Sequence, residues 1–405
     1  MRIWHSFCFQ IYISYIKNSM KYPFLRLLIC MLVLARTADG QSRIYVNEYL
    51  NIGVGGRGLA MGGAQAASTG DVTAGYWNPA GMMRIGDDMQ VGLMHAEYFA
   101  GNAKYDYAAA ALPLKDKKRV VAISALRFAT DDIPYTIDYI RPDGSFDESK
   151  LRSISAGDYC VLLSYAQQIK LFKDTTWKTF IGANGKVVFR NIGSMANAWG
   201  MGADLGFQAS YKRLHIGLAA KDITTTYTTW SFNLTEREKE IFGQTGNEIP
   251  VKSYEVMLPR FNLGVAWSFM KPERKLQLMA ELNADITSDG MRNTLIRSKG
   301  FSIDPRMGLE LNYKRTIFLR AGVCNIQQVL DDKDTTNRSH YTLFQPSVGL
   351  GLKLGPLVVD YAYTSLQTQS NPLFSHIIAG RIDIARRRIS KQNMSAPAII
   401  EPTRQ

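Results

Sequence analysis

The stretch Phe261-Asn-Leu-Gly-Val-Ala-Trp-Ser-Phe269 alternates between large apolar residues and residues that are small or polar. A period of two places successive side chains on opposite faces of a β-strand. Residues 199–211 and 276–286 alternate in the same way. These stretches predict strands with one face in apolar surroundings and the other toward a polar interior. On the apolar face, Leu263, Val265 and Leu282 should meet lipid, and so should Leu309 in the alternating stretch 304–313.

The same rhythm continues along the chain and predicts about fourteen strands. Tight basic or Gly/Pro turns alternate with long polar loops, and this asymmetry is typical of outer-membrane barrels rather than of β-sandwiches. We therefore predict an all-β fold, a transmembrane outer-membrane β-barrel of about 14 antiparallel strands over residues 88–384, with a luminal plug segment before it. The strands are placed at 88–98, 105–113, 119–128, 157–169, 178–190, 198–211, 213–222, 257–270, 274–287, 304–313, 316–326, 343–354, 356–366 and 374–384, and the long loops at 129–156, 223–256, 288–303 and 327–342.

The composition excludes some other classes of protein. The chain of 405 residues carries a formal net charge of +13, but its basic residues are scattered through strands and turns. The densest basic cluster lies in the polar C-terminal tail and is interpreted as a solvated chain end. No nucleic-acid partner is therefore expected. After residue 40 no apolar run reaches the roughly 18 residues that a transmembrane helix needs.

The two ends of the chain read differently from the barrel. In residues 20–40, basic residues are followed by the apolar core Leu27–Leu34 and by Ala38-Asp39-Gly40, the order of a cleaved signal peptide. Residues 1–19 have no such pattern, so Met20 is a candidate start and Gln41 the expected mature N-terminus. Residues 385–405 read as a polar basic tail. Export, together with the predicted barrel, predicts the outer membrane of a Gram-negative bacterium.

The polar strand faces should line the lumen. The charged residues expected there are Asp204, Arg260, Glu281, Asp285, Glu310, Arg320, Lys353, Asp360 and Arg381. If Tyr313 faces Ile317, Glu310 lies opposite Arg320; if Leu276 faces Phe269, Arg260 lies opposite Asp285. Opposite charges at facing positions stabilise a pair of strands. A structural lining of ion pairs is favoured over a selectivity filter.

Residues 41–87 lack strand alternation and contain two motifs. The first is the glycine-dense run Gly53-Val-Gly-Gly-Arg-Gly-Leu-Ala-Met-Gly-Gly-Ala64, and the second is Trp77-Asn-Pro-Ala-Gly81. Glycines allow tight bends and close packing of the backbone. Asn78 can cap a short helix that has Pro79 at its first position. A nucleotide-binding role is not expected, because the flanking strand and helix that it requires are missing.

These two motifs, in this order and about a dozen residues apart, resemble the opening of the PorV/PorQ family, which is itself similar to FadL-type hydrocarbon transporters. The resemblance implies a segment folded into the lumen as a plug. Its structural or gating residues would be Gly53, Gly55, Arg57, Gly58, Gly62, Gly63, Trp77, Asn78 and Pro79. Because a buried arginine needs an acidic partner, we expect Arg57 to bind Asp204, Glu281 or Asp360.

The resemblance also implies two functions. PorV-type proteins serve type IX secretion, so the first hypothesis is docking or shuttling of exported proteins, with secretion components or cargo bound by outer loops 129–156 and 223–256. The alternative is passive, FadL-like transport of hydrophobic small molecules across the outer membrane. Membrane lipid is a partner in either case.

No residue pattern indicates an enzyme. The histidines lack metal spacing, no Gly-x-Ser-x-Gly nucleophile motif occurs, and no cofactor or metal is expected. Cys160 and Cys324 are interpreted as small packing residues, although a bridge between them stays open.

Overall fold

The structure, a computed structural model, describes residues 46–385 except 100, 138, 140, 142–144, 247–251, 272, 299, 331–339 and 367–372. The expected leader and nearly all of the C-terminal tail therefore lie outside the described residues. Within those residues, no helix is both long enough and apolar enough to cross a membrane.

Fourteen strands in the described part of the chain form one closed antiparallel barrel. Each pairs with its neighbours in sequence, and the last pairs with the first from Met89↔Ile384 to Glu97↔His376. The strands are β1 Met89–Tyr98, β2 Ala103–Pro113, β3 Arg119–Tyr135, β4 Arg152–Ile169, β5 Lys178–Ile192, β6 Ala196–Tyr211, β7 Leu214–Lys221 and Thr226–Phe232, β8 Lys252–Met257 and Arg260–Ser268, β9 Leu276–Thr287, β10 Ser302–Tyr313, β11 Ile317–Leu330, β12 His340–Leu354, β13 Leu357–Leu366 and β14 Leu373–Ile384.

Strands β7 and β8 are each made of two segments. The lower segments, Leu214–Lys221 and Arg260–Ser268, pair with each other as far as Arg260↔Lys221. The upper segments, Thr226–Phe232 and Lys252–Met257, pair with each other from Thr226↔Met257 onward. Between them, residues 222–225 face only residues 258–259, so the ladder is interrupted. Both segments of β7 pair with β6, which joins the two halves of the wall.

The outward face of the barrel is apolar, as the alternation predicts. Leu263, Val265 and Leu282 are 44%, 50% and 59% exposed, and Leu309 lies on the same face, whereas Ala266 is fully buried in the interior. An apolar surface that surrounds a closed barrel with an even number of strands is the form in which β-proteins span outer membranes. The barrel is therefore an outer-membrane barrel, and the two faces of these strands are assigned correctly.

Several strands extend beyond their predicted outer ends. Strand β3 continues to Tyr135 and pairs with β4 as far as Tyr135↔Arg152, and the upper segments of β7 and β8 occupy much of the predicted loop 223–256. These extensions carry many polar residues, so they lack the apolar alternation that identifies the membrane-spanning part. The loop that remains between β7 and β8 contains the helix Glu236–Gln244, capped by Thr235.

One predicted register is right and the other is wrong. Strands β10 and β11 pair with Tyr313 opposite Ile317, and Glu310 faces Arg320 as expected. Strands β8 and β9 are shifted by two residues, which places Asn262 rather than Arg260 opposite Asp285. A shift of two keeps every side chain on its face, so the alternation could not detect it; the length of the turn sets the register.

Candidate functional site

Residues 46–85 lie inside the barrel, against the lumen faces of the strands. They contain the 3-10 helices Glu48–Asn51 and Pro79–Arg84 and the short α-helices α1 (Gly56–Ala60) and α2 (Ala74–Trp77). Helix α1 contacts β13 and β12, while the Pro79–Arg84 helix contacts β5, β4 and β6. Most of these residues are buried, and they form one hydrophobic core with the lumen faces of β1 to β4.

The glycine motif allows this segment to lie directly on the wall. A Cβ at Gly56 would lie 2.7 Å from Cβ of Asp360, and a Cβ at Gly62 would lie 2.8 Å from the backbone nitrogen of Val323. Gly62 also has φ +63°, a conformation that favours glycine. The other predicted motif glycines are equally confined, since a Cβ at Gly53, Gly55, Gly58 or Gly63 would come within 3.0 Å of a neighbouring side chain.

Arg57 binds a different acid from those predicted. Its Nε donates to Oε2 of Glu310 at 2.9 Å, and its Nη1 and Nη2 donate to Gln65 and Ser68 at 2.5 and 3.0 Å. Asp204, Glu281 and Asp360 are therefore the wrong partners. Glu310 was already predicted to face Arg320, and the alternation could not show that one carboxylate serves both arginines.

Glu310 is the centre of an ion-pair cluster. Nε of Arg320 donates to the same carboxylate at 2.8 Å, and Nη1 of Arg320 donates to Asp360 at 2.6 Å. Arg57 is the member that belongs to the N-terminal segment. This cluster, Arg57–Glu310–Arg320–Asp360, therefore fixes the segment to β10, β11 and β13.

The Trp77-Asn78-Pro79 motif folds the second half of the segment. Nε1 of Trp77 donates to the carbonyl of Val54 at 2.9 Å, which joins the two motifs. The side chain of Asn78 accepts from the backbone of Ala80 and caps a 3-10 helix whose first residue is Pro79, as predicted. Nδ2 of Asn78 donates to the carbonyl of Ala66 at 2.7 Å.

Apart from Arg260, the remaining predicted lumen charges have partners on the wall or in the segment. Asp204 binds Lys186 at 2.7 Å, and Lys186 also binds Asp222. Glu281 is fully buried and accepts from the backbone of Ala67 at 2.8 Å. The last two bases form the pairs Arg381–Asp71, at 2.8 Å, and Lys353–Asp383, at 3.7 Å.

A cavity of about 560 Å³ lies on the outer side of the segment. Its lining includes aromatic side chains from the segment, from β1 and the residue after it, and from β3, together with charged and amide side chains. The aromatic residues are Tyr76, Trp77, Tyr98, Phe99 and Phe128; the charged residues are Glu48, Lys221, Arg260, Asp285, Arg292, Asp304 and Arg306. A volume of this size is in the range that holds a small organic molecule.

Lys221 was not predicted as a site residue. It faces Arg260 directly across the β7–β8 ladder, and its Nζ lies 4.2 Å from the centre of the Tyr76 ring. The sequence could have identified it only with the correct register of β7 on β8. The alternation does place it on the lumen face.

The two outer loops proposed for partner binding contact each other. The hydroxyl of Tyr135, at the end of β3, donates to Glu238 of the loop helix at 2.6 Å, and Thr235 donates to the other carboxylate oxygen. Burial raises the pKa of Glu238, but the hydrogen bonds from Tyr135 and Thr235 outweigh it and hold this pKa below its usual range.

The cysteines and the metal-binding residue types form no further site in the described part of the chain. Cys160 and Cys324 are both free thiols. No group of three His, Cys, Asp or Glu side chains is arranged to hold a metal ion among the described residues.

Comparisons with known proteins identify the fold. CymD, a monoaromatic hydrocarbon channel, superposes with a TM-score of 0.53 at 13% identity, covering 83% of this chain and 99% of its own. The toluene transporter TodX of Pseudomonas putida gives 0.48 at 12% identity over 82% and 97%, and a FadL homologue of Pseudomonas aeruginosa gives 0.46 at 13% over 82% and 98%. No protein-family model matches the chain, and no curated protein matches it.

Proposed function

We propose that this barrel is a passive transporter of hydrophobic small molecules across the outer membrane. The observation that carries the proposal is the partly aromatic cavity between the N-terminal segment and the wall, in a fold shared with the hydrocarbon channel CymD. Such a cavity offers an apolar molecule a site on the outer side of the segment.

The PorV/PorQ assignment and the secretion role rest on the two N-terminal motifs alone. The fold of CymD supports the transport alternative instead. Binding of secretion components or cargo by loops 129–156 and 223–256 stays a prediction from the sequence.

Entry of a hydrophobic dye into cells tests the transport proposal. An intact outer membrane excludes N-phenyl-1-naphthylamine, so we expect cells that express the barrel to take it up faster than cells with an empty vector. Cys324 lines the cavity, and Cys324→Trp should fill it and lower the rate severalfold. Leu282→Trp adds the same ring on the lipid-facing side and should leave the rate unchanged.

Two outcomes would refute transport. One is equal uptake with barrel and empty vector; the other is equal uptake by the two Trp variants when both show the heat-modifiable gel mobility of folded barrels. Nitrocefin, a hydrophilic compound, serves as the control for a damaged membrane, because its entry should be the same in all strains.

We further propose that residues 41–87 act as the plug that occludes the lumen. The contacts of Arg57 and Asn78 with the wall support this role, because they hold the segment across the interior. Deleting residues 42–80 behind an intact signal peptide should give a barrel with higher planar-bilayer conductance than the intact protein. Equal conductance of the two would reject the plug. If the deleted protein does not insert, Glu310→Gln serves as a second variant, because it loosens the segment. It should show transient channel openings in the bilayer, and a recording without openings would also reject the plug.

A further inference from the structure

Two cations face each other in the cavity. Lys221 and Arg260 form the last cross-strand pair of the lower β7–β8 ladder, next to its interruption. Like charges at directly opposed positions destabilise a pair of strands. This arrangement is costly unless an anion binds between the two charges.

The acids around the cavity already bind other bases. Four basic and three acidic residues line it. Glu48 binds Arg292 at 2.9 Å, and Arg306 binds Asp285 at 2.7 Å and Asp304 at 3.7 Å. All three acids are therefore engaged by two of the four bases, and the other two bases are Lys221 and Arg260.

Two of the three side-chain nitrogens of Arg260 are buried without a partner among the residues that the structure describes. Its Nε and Nη2 are buried and have no hydrogen-bond partner in the described part of the chain. No acid among the described residues lies within 4.0 Å of either Arg260 or Lys221. An unpartnered buried donor costs free energy that a bound acceptor recovers.

The aromatic residues of the segment lie beside this pair. Nζ of Lys221 is 4.2 Å from the ring centre of Tyr76 and 5.6 Å from that of Trp77. These contacts offset part of the cost of burying an ammonium group. They supply no oxygen acceptor, however, and they also place an apolar surface next to the charges.

We propose that Lys221 and Arg260 bind the carboxylate of a small organic acid whose apolar body packs against the aromatic side chains that line the cavity. This inference rests on the proposed transport function and names its substrate class. A guanidinium presents paired donors to a carboxylate, and the ammonium adds a second charge-assisted hydrogen bond. The cavity of about 560 Å³ has room for such a molecule, including a bicyclic one.

Binding of 2-naphthoate to the full-length protein in detergent tests the proposal. Its neutral analogue 2-naphthamide has nearly the same size and shape, so the ratio of the two affinities reports the contribution of charge. We expect naphthoate to bind wild-type protein roughly tenfold or more tightly, as the loss of one charge-assisted bond implies. Radiolabelled ligand and equilibrium dialysis give both constants.

Neutral substitutions locate the charge preference. Lys221→Met and Arg260→Met should each abolish most of the preference for naphthoate while binding of naphthamide changes little. Lys353→Met is the matched control, because Lys353 is another lumen cation, lies outside this cavity and already binds Asp383. The control should keep the wild-type ratio.

Three results would overturn the inference. The first is equal affinity of the wild-type protein for naphthoate and naphthamide. The second is a loss of the naphthoate preference in Lys353→Met as large as in Lys221→Met or Arg260→Met. The third is displacement of naphthoate by inorganic phosphate at the same concentration, which would indicate a site for inorganic anions. If dye uptake is intact but naphthoate shows no preference, the inference fails and transport stands. If dye uptake itself fails, the transport proposal fails.

A stability measurement separates a ligand site from a structural pair. Because the two cations repel each other, Lys221→Met should leave the urea midpoint of the empty barrel unchanged or raised. A large fall in that midpoint would show that the pair stabilises the wall, and would contradict a binding role.

Discussion

Glu310→Gln is the sharpest test of how the N-terminal segment is fixed. The carboxylate of Glu310 accepts from Arg57 at 2.9 Å and from Arg320 at 2.8 Å. The substitution keeps the size of the side chain and removes its charge. Arg320 would still bind Asp360, whereas Arg57 would keep only the neutral partners Gln65 and Ser68.

The expected cost follows from the burial of these side chains. Glu310 and Arg57 are 13% and 16% exposed, so their charges are mostly removed from water. Removing one partner of a buried ion pair costs about 3–5 kcal/mol. Because Arg57 retains two hydrogen bonds, we expect the free energy of unfolding to fall by about 2–3 kcal/mol.

Urea unfolding of the barrel in lipid vesicles, followed by tryptophan fluorescence, measures this change. The control is Lys353→Met, which removes a pair at 3.7 Å whose lysine is 41% exposed, and should cost less than about 1 kcal/mol. Equal losses in the two variants would refute the argument that the cluster anchors the segment. In the double variant Arg57→Met, Glu310→Gln the losses should be less than additive, since each removes the same interaction.

Three further predictions concern the wall, the second motif and the outer loops. Leu263→Arg should cost about 2–4 kcal/mol and impair assembly, whereas Asn262→Arg on the lumen face should be milder; similar heat-modifiable mobility would mean that the faces are misassigned. Asn78→Ala removes a cap and a buried hydrogen bond and should lower the free energy of unfolding by about 1–2 kcal/mol in urea titrations, and no change would contradict its role in folding the segment. The pKa of Glu238 is lowered in the folded loop, so its contribution to stability is present above the usual value of about 4.3 and is lost as the pH falls through the folded pKa. Hydrogen exchange of helix 236–244 should therefore quicken below pH ~4 relative to the chemical rate. Tyr135→Phe removes one of the hydrogen bonds that lower this pKa and should weaken the dependence.

The sequence predicts the wall better than it predicts the lumen. Alternation reports which face of a strand meets lipid, because only one face there is apolar, and this places Leu263 and Leu282 correctly. Alternation gives no signal where both faces of a strand meet water, as in the outer extension of β3 toward Tyr135. Alternation also cannot detect a shift of two residues between paired strands. Such a shift between β8 and β9 separates Arg260 from its expected partner Asp285.

The contacts of the N-terminal segment could not be derived from periodicity. The motifs indicate that the backbone needs room and that Arg57 needs an acid, but several acids point into the same lumen. The choice of Glu310 depends on where helix α1 meets the wall, and that position depends on packing across the whole barrel. The opposition of Lys221 and Arg260 depends in the same way on the β7–β8 register.

Glycines on the wall match the glycines of the segment, and this gives a final prediction. A Cβ at Gly322 of β11 would overlap the backbone of Met61 and Gly62, whereas a Cβ at Gly185 of β5 would meet nothing within 4 Å. Gly322→Ala should therefore displace the segment, at a cost of about 1–3 kcal/mol for overpacking, while the strand ladder has no reason to break. Gly185→Ala adds the same methyl group in another strand and should be neutral. Limited proteolysis of folded barrels should cut residues 46–85 faster in Gly322→Ala only, and equal rates in the two variants would show that the close approach does not hold the segment in place.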